Sequence, residues 1–249
     1  MTTKVFLLVT VSFALFTCGK VGATETAEVN NMWINSSPII ENGTKEKYEI
    51  IPEKYEDKNV VIEYPQITGI SDKEKEDDIN QLVKKEAIKP YLETIMQLEP
   101  DQHYEADGDY EIKMFNENIL SIAYKSYNNI TPSAHPFNRF FTTNIDLHTG
   151  ELLFLPDFVE NIDEAFIQKL KNATYIGDLE DKYVDQVKEM AFSSYENDQV
   201  LMEALADSED RKHGIFIYVT EDSLGISLPV PHVAGDHVEL EIPLHEIEN

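Results

Sequence analysis

The spacing of apolar residues changes period several times along the chain, and each change marks an element. Tyr48 to Pro52 and Val60 to Tyr64 are short β-branched or aromatic runs between polar clusters, which predicts two strands. Ile79, Leu82, Val83 and Ala87 then recur at helical spacing. They follow Ser71-Asp72-Lys73-Glu74, a capping box in which the Ser71 hydroxyl accepts from the Glu74 amide and Glu74 reaches back. Pro90 has no N–H and is expected to kink or break this helix, while Tyr91, Leu92, Ile95 and Met96 extend its apolar face. Period two returns at Tyr110, Ile112 and Met114. It turns over Asn116-Glu117-Asn118, because Asn tolerates left-handed backbone, and comes back at Leu120, Ile122 and Tyr124. After Ala134-His135-Pro136, the residues Phe141, Thr143, Ile145 and Leu147 share one face of a further strand, and His148-Thr149-Gly150-Glu151 turns into Leu152-Leu153-Phe154.

The second half repeats the style. Helices are predicted over Asn161 to Leu170, Asp181 to Phe192 and Val200 to Ala206, and strands over Ile215 to Thr220, Leu224 to Val230 and Val238 to Pro243. No βαβ alternation with glycine-rich phosphate loops appears. The expected class is therefore α+β: antiparallel sheets with packed helices in two small α/β subdomains, residues 47–130 and 131–249.

The amino terminus changes the compartment. Met1 to Lys4 is a short positive segment, and Val5 to Phe16 is an apolar run too short for a comfortable membrane span. Val21-Gly22-Ala23 then offers small residues before a cleavage point, so residues 1–23 read as a signal peptide and 24–46 as a polar tether. An uncleaved anchor is the other reading. Leu15-Phe16-Thr17-Cys18 resembles a lipoprotein box, which makes Cys18 the lipidation candidate and a lipid anchor the one expected membrane attachment. With a single cysteine there is no intramolecular disulfide, and 42% hydrophobic residues supply a core in its place. The formal charge is −27; removing residues 1–23 takes away Lys4 and Lys20 and no acid, leaving −29. That field repels nucleic acid and suits basic partners or simple solubility.

Candidate chemistry is sparse. His135 sits at the Ala134-His135-Pro136 corner, either as a ligand contact or as a joint whose ring bonds a backbone carbonyl. Ser133 is two residues from His135 but forms no nucleophile elbow. His232, Asp236 and His237 straddle a loop, without the His-Glu-x-x-His helix of a zinc enzyme, so no metal and no cofactor is expected. The acids Asp72, Glu74, Glu76, Asp77 and Asp78 lack the pattern of a calcium loop and read as a solvated helix start. Nothing selects a catalytic pair among 47 acids, so no catalytic residue is expected. Rings surround the corner at Tyr124, Tyr127, Phe137, Phe140 and Phe141. Rings beside polar heads at a turn make Tyr124, His135, Phe137 and Asn138 the ligand-binding candidates.

Three stretches carry a family resemblance: Val61 to Ile67 with Gly69 and the capped helix; Ala134-His135-Pro136 with Asn144 to Glu151; and the closing run Ile217 to Ile247. Together they resemble an extracytoplasmic two-part domain of unknown function. That domain occurs in the outer parts of lysozyme-sensing anti-sigma factors and ahead of the catalytic domain of some peptidoglycan deacetylases. A deacetylase would need a further domain with metal-binding Asp and His residues, and an anti-sigma factor a cytoplasmic segment before the apolar run. The resemblance therefore implies the outer module alone: a secreted or envelope-tethered, non-catalytic binding module for a cell-wall glycan or a basic wall-active protein such as lysozyme. A glycan hydrolase acting through acidic residues and a structural envelope protein are the rival readings.

Overall fold

Val60, Ile62 and Tyr64 alternate with the less buried Val61 and Glu63, so β2 (Val60–Thr68) presents one side to a core. It forms a hairpin with β1 (Glu49–Asp57), turning at Lys58 with φ 54°. The first helix, α1 (Lys73–Met96), starts one residue later than the capping box implies. Asp72 is the cap, its carboxylate accepting from the Glu74 and Lys75 amides at 3.1 and 3.2 Å. Glu76 satisfies the preceding turn, accepting from the Gly69 and Ile70 amides at 2.8 Å. Pro90 does not end the helix. Ala87, Ile88 and Tyr91 are buried on both sides of it, and this packing holds the segment helical despite the missing N–H.

A meander follows: β3 (His103–Phe115), β4 (Ile119–Thr131) and β5 (Phe137–Asp146). Its first turn is an Asn turn, with Asn116 Oδ1 accepting from the Asn118 and Ile119 amides at 2.8 Å. The five strands lie in the order β1-β2-β3-β4-β5. The β2–β3 pair is parallel, since α1 carries the chain across between them, and the other pairs are antiparallel. Ile79, Val83, Ala87 and Tyr91 of α1 close one face over Ile62, Ile122, Tyr124 and Phe141.

The remaining elements are α2 (Leu155–Phe158), α3 (Glu164–Asn172), β6 (Thr174–Ile176), α4 (Asp181–Ser193), α5 (Asp198–Ala206), β7 (Phe216–Val219), β8 (Ser223–Pro229), β9 (His237–Pro243) and α6 (Leu244–Ile247). The sheet they form has the order β6-β9-β8-β7, and Phe166, Leu170, Leu201 and Leu205 pack on Ile226, Leu228 and Leu240. The short strand β6 had no alternation to announce it. The fold is α+β. The expected division at 130/131 falls inside β4, before its last residue, and β4 pairs with β5 from Ile119–Asp146 to Asn128–Phe137; the first sheet runs on to Asp146.

The computed structural model describes residues 48–132 and 135–247, which fall in one compact unit. The expected signal segment, Cys18 and the whole of the expected tether, up to residue 47, lie outside the described residues. Among the described residues no helix is long and apolar enough to cross a membrane.

The two sheets meet where the edge strand β7 lies over the face of the first sheet away from α1. Asn144 Nδ2 donates to the Ile217 carbonyl at 2.9 Å, the Val219 amide donates to Ser121 Oγ at 3.0 Å, and Ser121 Oγ donates to Asn144 Oδ1 at 2.7 Å. All of these bonds are buried. Asn144→Leu removes two of them and strands a buried carbonyl, so it is expected to cost about 1–3 kcal/mol. A urea midpoint equal to the wild type would show that the two sheets do not depend on this joint.

Candidate binding groove

On the outer face of the first sheet, burial stops partway along β4 and β5. Ile119 to Tyr124 and Phe140 to Asp146 are buried without a break, because β7 covers one face there and α1 the other. Beyond that cover Lys125, Tyr127 and Asn138 emerge, and β3 carries Asp107 and Asp109 beside them. The register sets Asp107, Tyr127 and Asn138 in one cross-strand row and Asp109, Lys125 and Phe140 in the next. Glu63 on β2 extends the floor, and Gly235 and His237 at the β8–β9 turn form the wall of a groove of about 520 Å³. A floor on paired strands holds its side chains more rigidly than a loop would.

The cations here are engaged. Lys125 Nζ lies 2.7 Å from Glu239 Oε1, with His237 Nε2 at 3.6 Å from the same oxygen. Lys113 Nζ is 2.8 Å from Glu111 and 3.9 Å from Glu239 Oε2. Burial works against the Glu239 charge, but the hydrogen bonds from His237 and Lys125 and the charges of Lys125 and Lys113 outweigh it, so its carboxyl is held down at about 2. The His237 ring stacks on Phe140 at 4.7 Å between centroids. Arg139 donates to the Pro90 carbonyl at 3.0 Å and to Thr94 Oγ1 at 2.9 Å, and lies over the Tyr91 and Phe137 rings. Glu63, Asp107 and Asp109, by contrast, are exposed and have no ion-pair partner among the described residues. Burial, then the charges of Asp109 and Glu63, push the neighbouring Tyr110 hydroxyl up.

The sequence-derived candidates separate. Tyr124 cannot meet a ligand: it is 0% exposed and stacks on Phe141 at 4.7 Å inside the core, because this part of β4 is covered on both faces. Burial drives its hydroxyl far above the ordinary tyrosine range. His135 is exposed, its ring 6.2 Å from that of His232, and among the described residues it bonds no backbone carbonyl. The joint at this corner is Asp236, which accepts from the Asn138 amide at 2.7 Å and meets His232 Nδ1 at 3.0 Å. Phe137 is half-buried beneath Arg139, and Asn138 lines the groove. Cys18 lies outside the described residues. Among the described residues no group of three or more His, Cys, Asp or Glu side chains is placed to hold a metal.

The floor itself was missed. Its signal was the run Glu105-Ala106-Asp107-Gly108-Asp109-Tyr110-Glu111, where acids occupy every second position and so share one strand face. Gly108 hid the strand. A Cβ there would lie 2.9 Å from both Ile62 Cδ1 and the Tyr91 hydroxyl, so glycine answers to α1 packing closely on the sheet.

Comparison with known proteins bears on the same region. Residues 53–138 match the family model described as Deacetylase PdaC, in line with the resemblance read from the sequence. Two solved structures are similar across most of the chain. One is a member of the DUF3298 family from Bacteroides fragilis, at 14% identity and a TM-score of 0.43, covering 82% of this chain and 92% of that one. The other is a DUF3298 family protein from Pseudomonas aeruginosa, at 13% identity and a TM-score of 0.45, covering 82% and 94%. No curated protein matches.

Proposed function

We propose that the chain is an extracytoplasmic, non-catalytic binding module whose ligand is a cell-wall glycan held in the groove. One observation carries the reading: an open groove of about 520 Å³ whose floor sets an exposed ring, Tyr127, among planar polar side chains on rigid strands. The floor residues Glu63, Asp107, Asp109, Lys125, Tyr127 and Asn138 all fall within residues 53–138, the stretch similar to the deacetylase family model. The apolar run and small residues at the amino terminus support the compartment. A second reading, a basic wall-active protein such as lysozyme as partner, is favoured by the charge of −27 and the unpaired carboxylates.

Co-sedimentation with purified peptidoglycan sacculi tests the proposal. The protein is expected in the pellet, and Tyr127→Ala, which removes an exposed ring, is expected in the supernatant with an unchanged melting temperature. Release of soluble glycan fragments would turn the reading to a hydrolase. Protein that stays in the supernatant with sacculi but comes down with immobilised lysozyme would favour the basic partner.

A further inference from the structure

We infer that the corner beside the groove holds a divalent transition-metal ion between the rings of His135 and His232. The two residues come from different elements: His135 lies between β4 and β5, and His232 in the turn between β8 and β9. Their rings are nearly parallel, with 17° between the planes and 6.2 Å between the centroids. Zinc lies about 2.0–2.1 Å from the nitrogen that binds it, which puts the ring centroid about 3 Å from the ion and the centroids of two rings that share it about 5–6 Å apart. The observed separation is therefore close to the one an ion imposes, and rotation of the exposed His135 side chain covers the difference.

Asp236 orients the second ring. Its carboxylate meets His232 Nδ1 at 3.0 and 3.1 Å, which leaves Nε2 as the free nitrogen and fixes its direction. A metal-binding imidazole has its other nitrogen held by a carboxylate in the same way. Asp236 is held in turn, accepting from the Asn138 amide at 2.7 Å. The turn that carries His232 is stiff: the Ala234 and Gly235 amides donate to the Pro231 and His232 carbonyls at 2.7 and 3.0 Å, and the Val230 amide to the Asp236 carbonyl at 3.1 Å. Both histidines are exposed, so an ion reaches them from solvent. Imidazole nitrogens favour zinc, copper or nickel over calcium and magnesium, and the charge of −27 raises the local concentration of cations. Two side chains, with water completing the shell, fall short of the ligand set of a permanent centre, so the ion is exchangeable. Bound there, it ties the corner before β5 to the turn whose Gly235 and His237 form the groove wall.

Calorimetric titration of the whole untagged chain with zinc chloride tests this. A saturable site is expected that takes zinc at least about tenfold more tightly than calcium or magnesium. His135→Gln and His232→Gln should each weaken it by at least about tenfold, since each removes one of two protein ligands. Asp236→Asn, which loosens the hold on the His232 ring, should weaken it by about tenfold. His213→Gln, at an exposed histidine beside Asp207, should leave it unchanged. Zinc should raise the melting temperature of the unaltered protein and not that of the two histidine variants. In the unaltered chain the ring resonances of His135 and His232 should move together as zinc is added, a readout that needs no variant. The inference is overturned by any of four results: no saturable binding, binding that survives the two histidine substitutions combined, calcium bound as tightly as zinc, or His135 and His232 resonances that stay in place.

Discussion

Arg211→Met is expected to destabilise the fold by about 3–5 kcal/mol, because it leaves a buried carboxylate without its partner. Arg211 Nη1 lies 2.6 Å from Glu86 Oε2, and the two side chains are 19% and 5% exposed. Glu86 is on α1 beneath the first sheet, and Arg211 lies in the segment leading to β7, so the pair ties residues 125 positions apart. Arg211 adopts φ 59°, a left-handed conformation as uncomfortable for methionine as for arginine, so the substitution isolates the charge. Replacing both partners, Glu86→Leu with Arg211→Met, should recover most of the loss, since two apolar side chains leave no orphaned charge. Denaturation of the four proteins in a double-mutant cycle measures the coupling. A single variant as stable as the wild type would mean that solvent reaches this pair and screens it.

Glu239 is expected to give the fold its steepest acid sensitivity. Its carboxyl is held at about 2, against an ordinary 4.5. A depressed carboxyl adds stability that is fully present above about pH 4.5 and is lost as the pH falls toward 2. The loss amounts to about 3 kcal/mol, since each tenfold drop in the carboxylate's proton affinity corresponds to roughly 1.4 kcal/mol. Glu239→Gln should flatten this part of the profile. It should also lower stability at neutral pH, because Lys113, with a side chain 9% exposed, keeps its charge and loses one of its two carboxylates. Urea unfolding at pH 5 and pH 3 for both proteins separates the effects. Parallel profiles would show that other carboxylates carry the acid response.

Much of the fold was legible because its strands are buried on one side. Where apolar and polar residues alternate, as at Tyr110 to Met114 and Leu120 to Tyr124, the period identifies the strand and its turn follows from Asn116. Alternation says nothing about what covers the second face, so Tyr124 read as a surface candidate although α1 and β7 enclose that end of β4. Pro90 shows the opposite failure. The local rule was sound, but Ala87, Ile88 and Tyr91 bury enough apolar surface to override it. The site was legible only in fragments. Asn138 and Phe137 sit at its border, whereas the carboxylates of β2 and β3 join the groove through a parallel register set across α1, and no local pattern reveals a pairing between residues 60 and 106.

The grip of Ser121 and Asn144 on the outer backbone of β7 also bears on self-association. An edge strand with free amides and carbonyls is a template on which another chain can add a strand. Here the Val219 amide and the Ile217 carbonyl are already occupied by side chains of the neighbouring sheet. That edge cannot recruit a foreign strand without first breaking a buried internal bond, and so it is closed to the growth of aggregates.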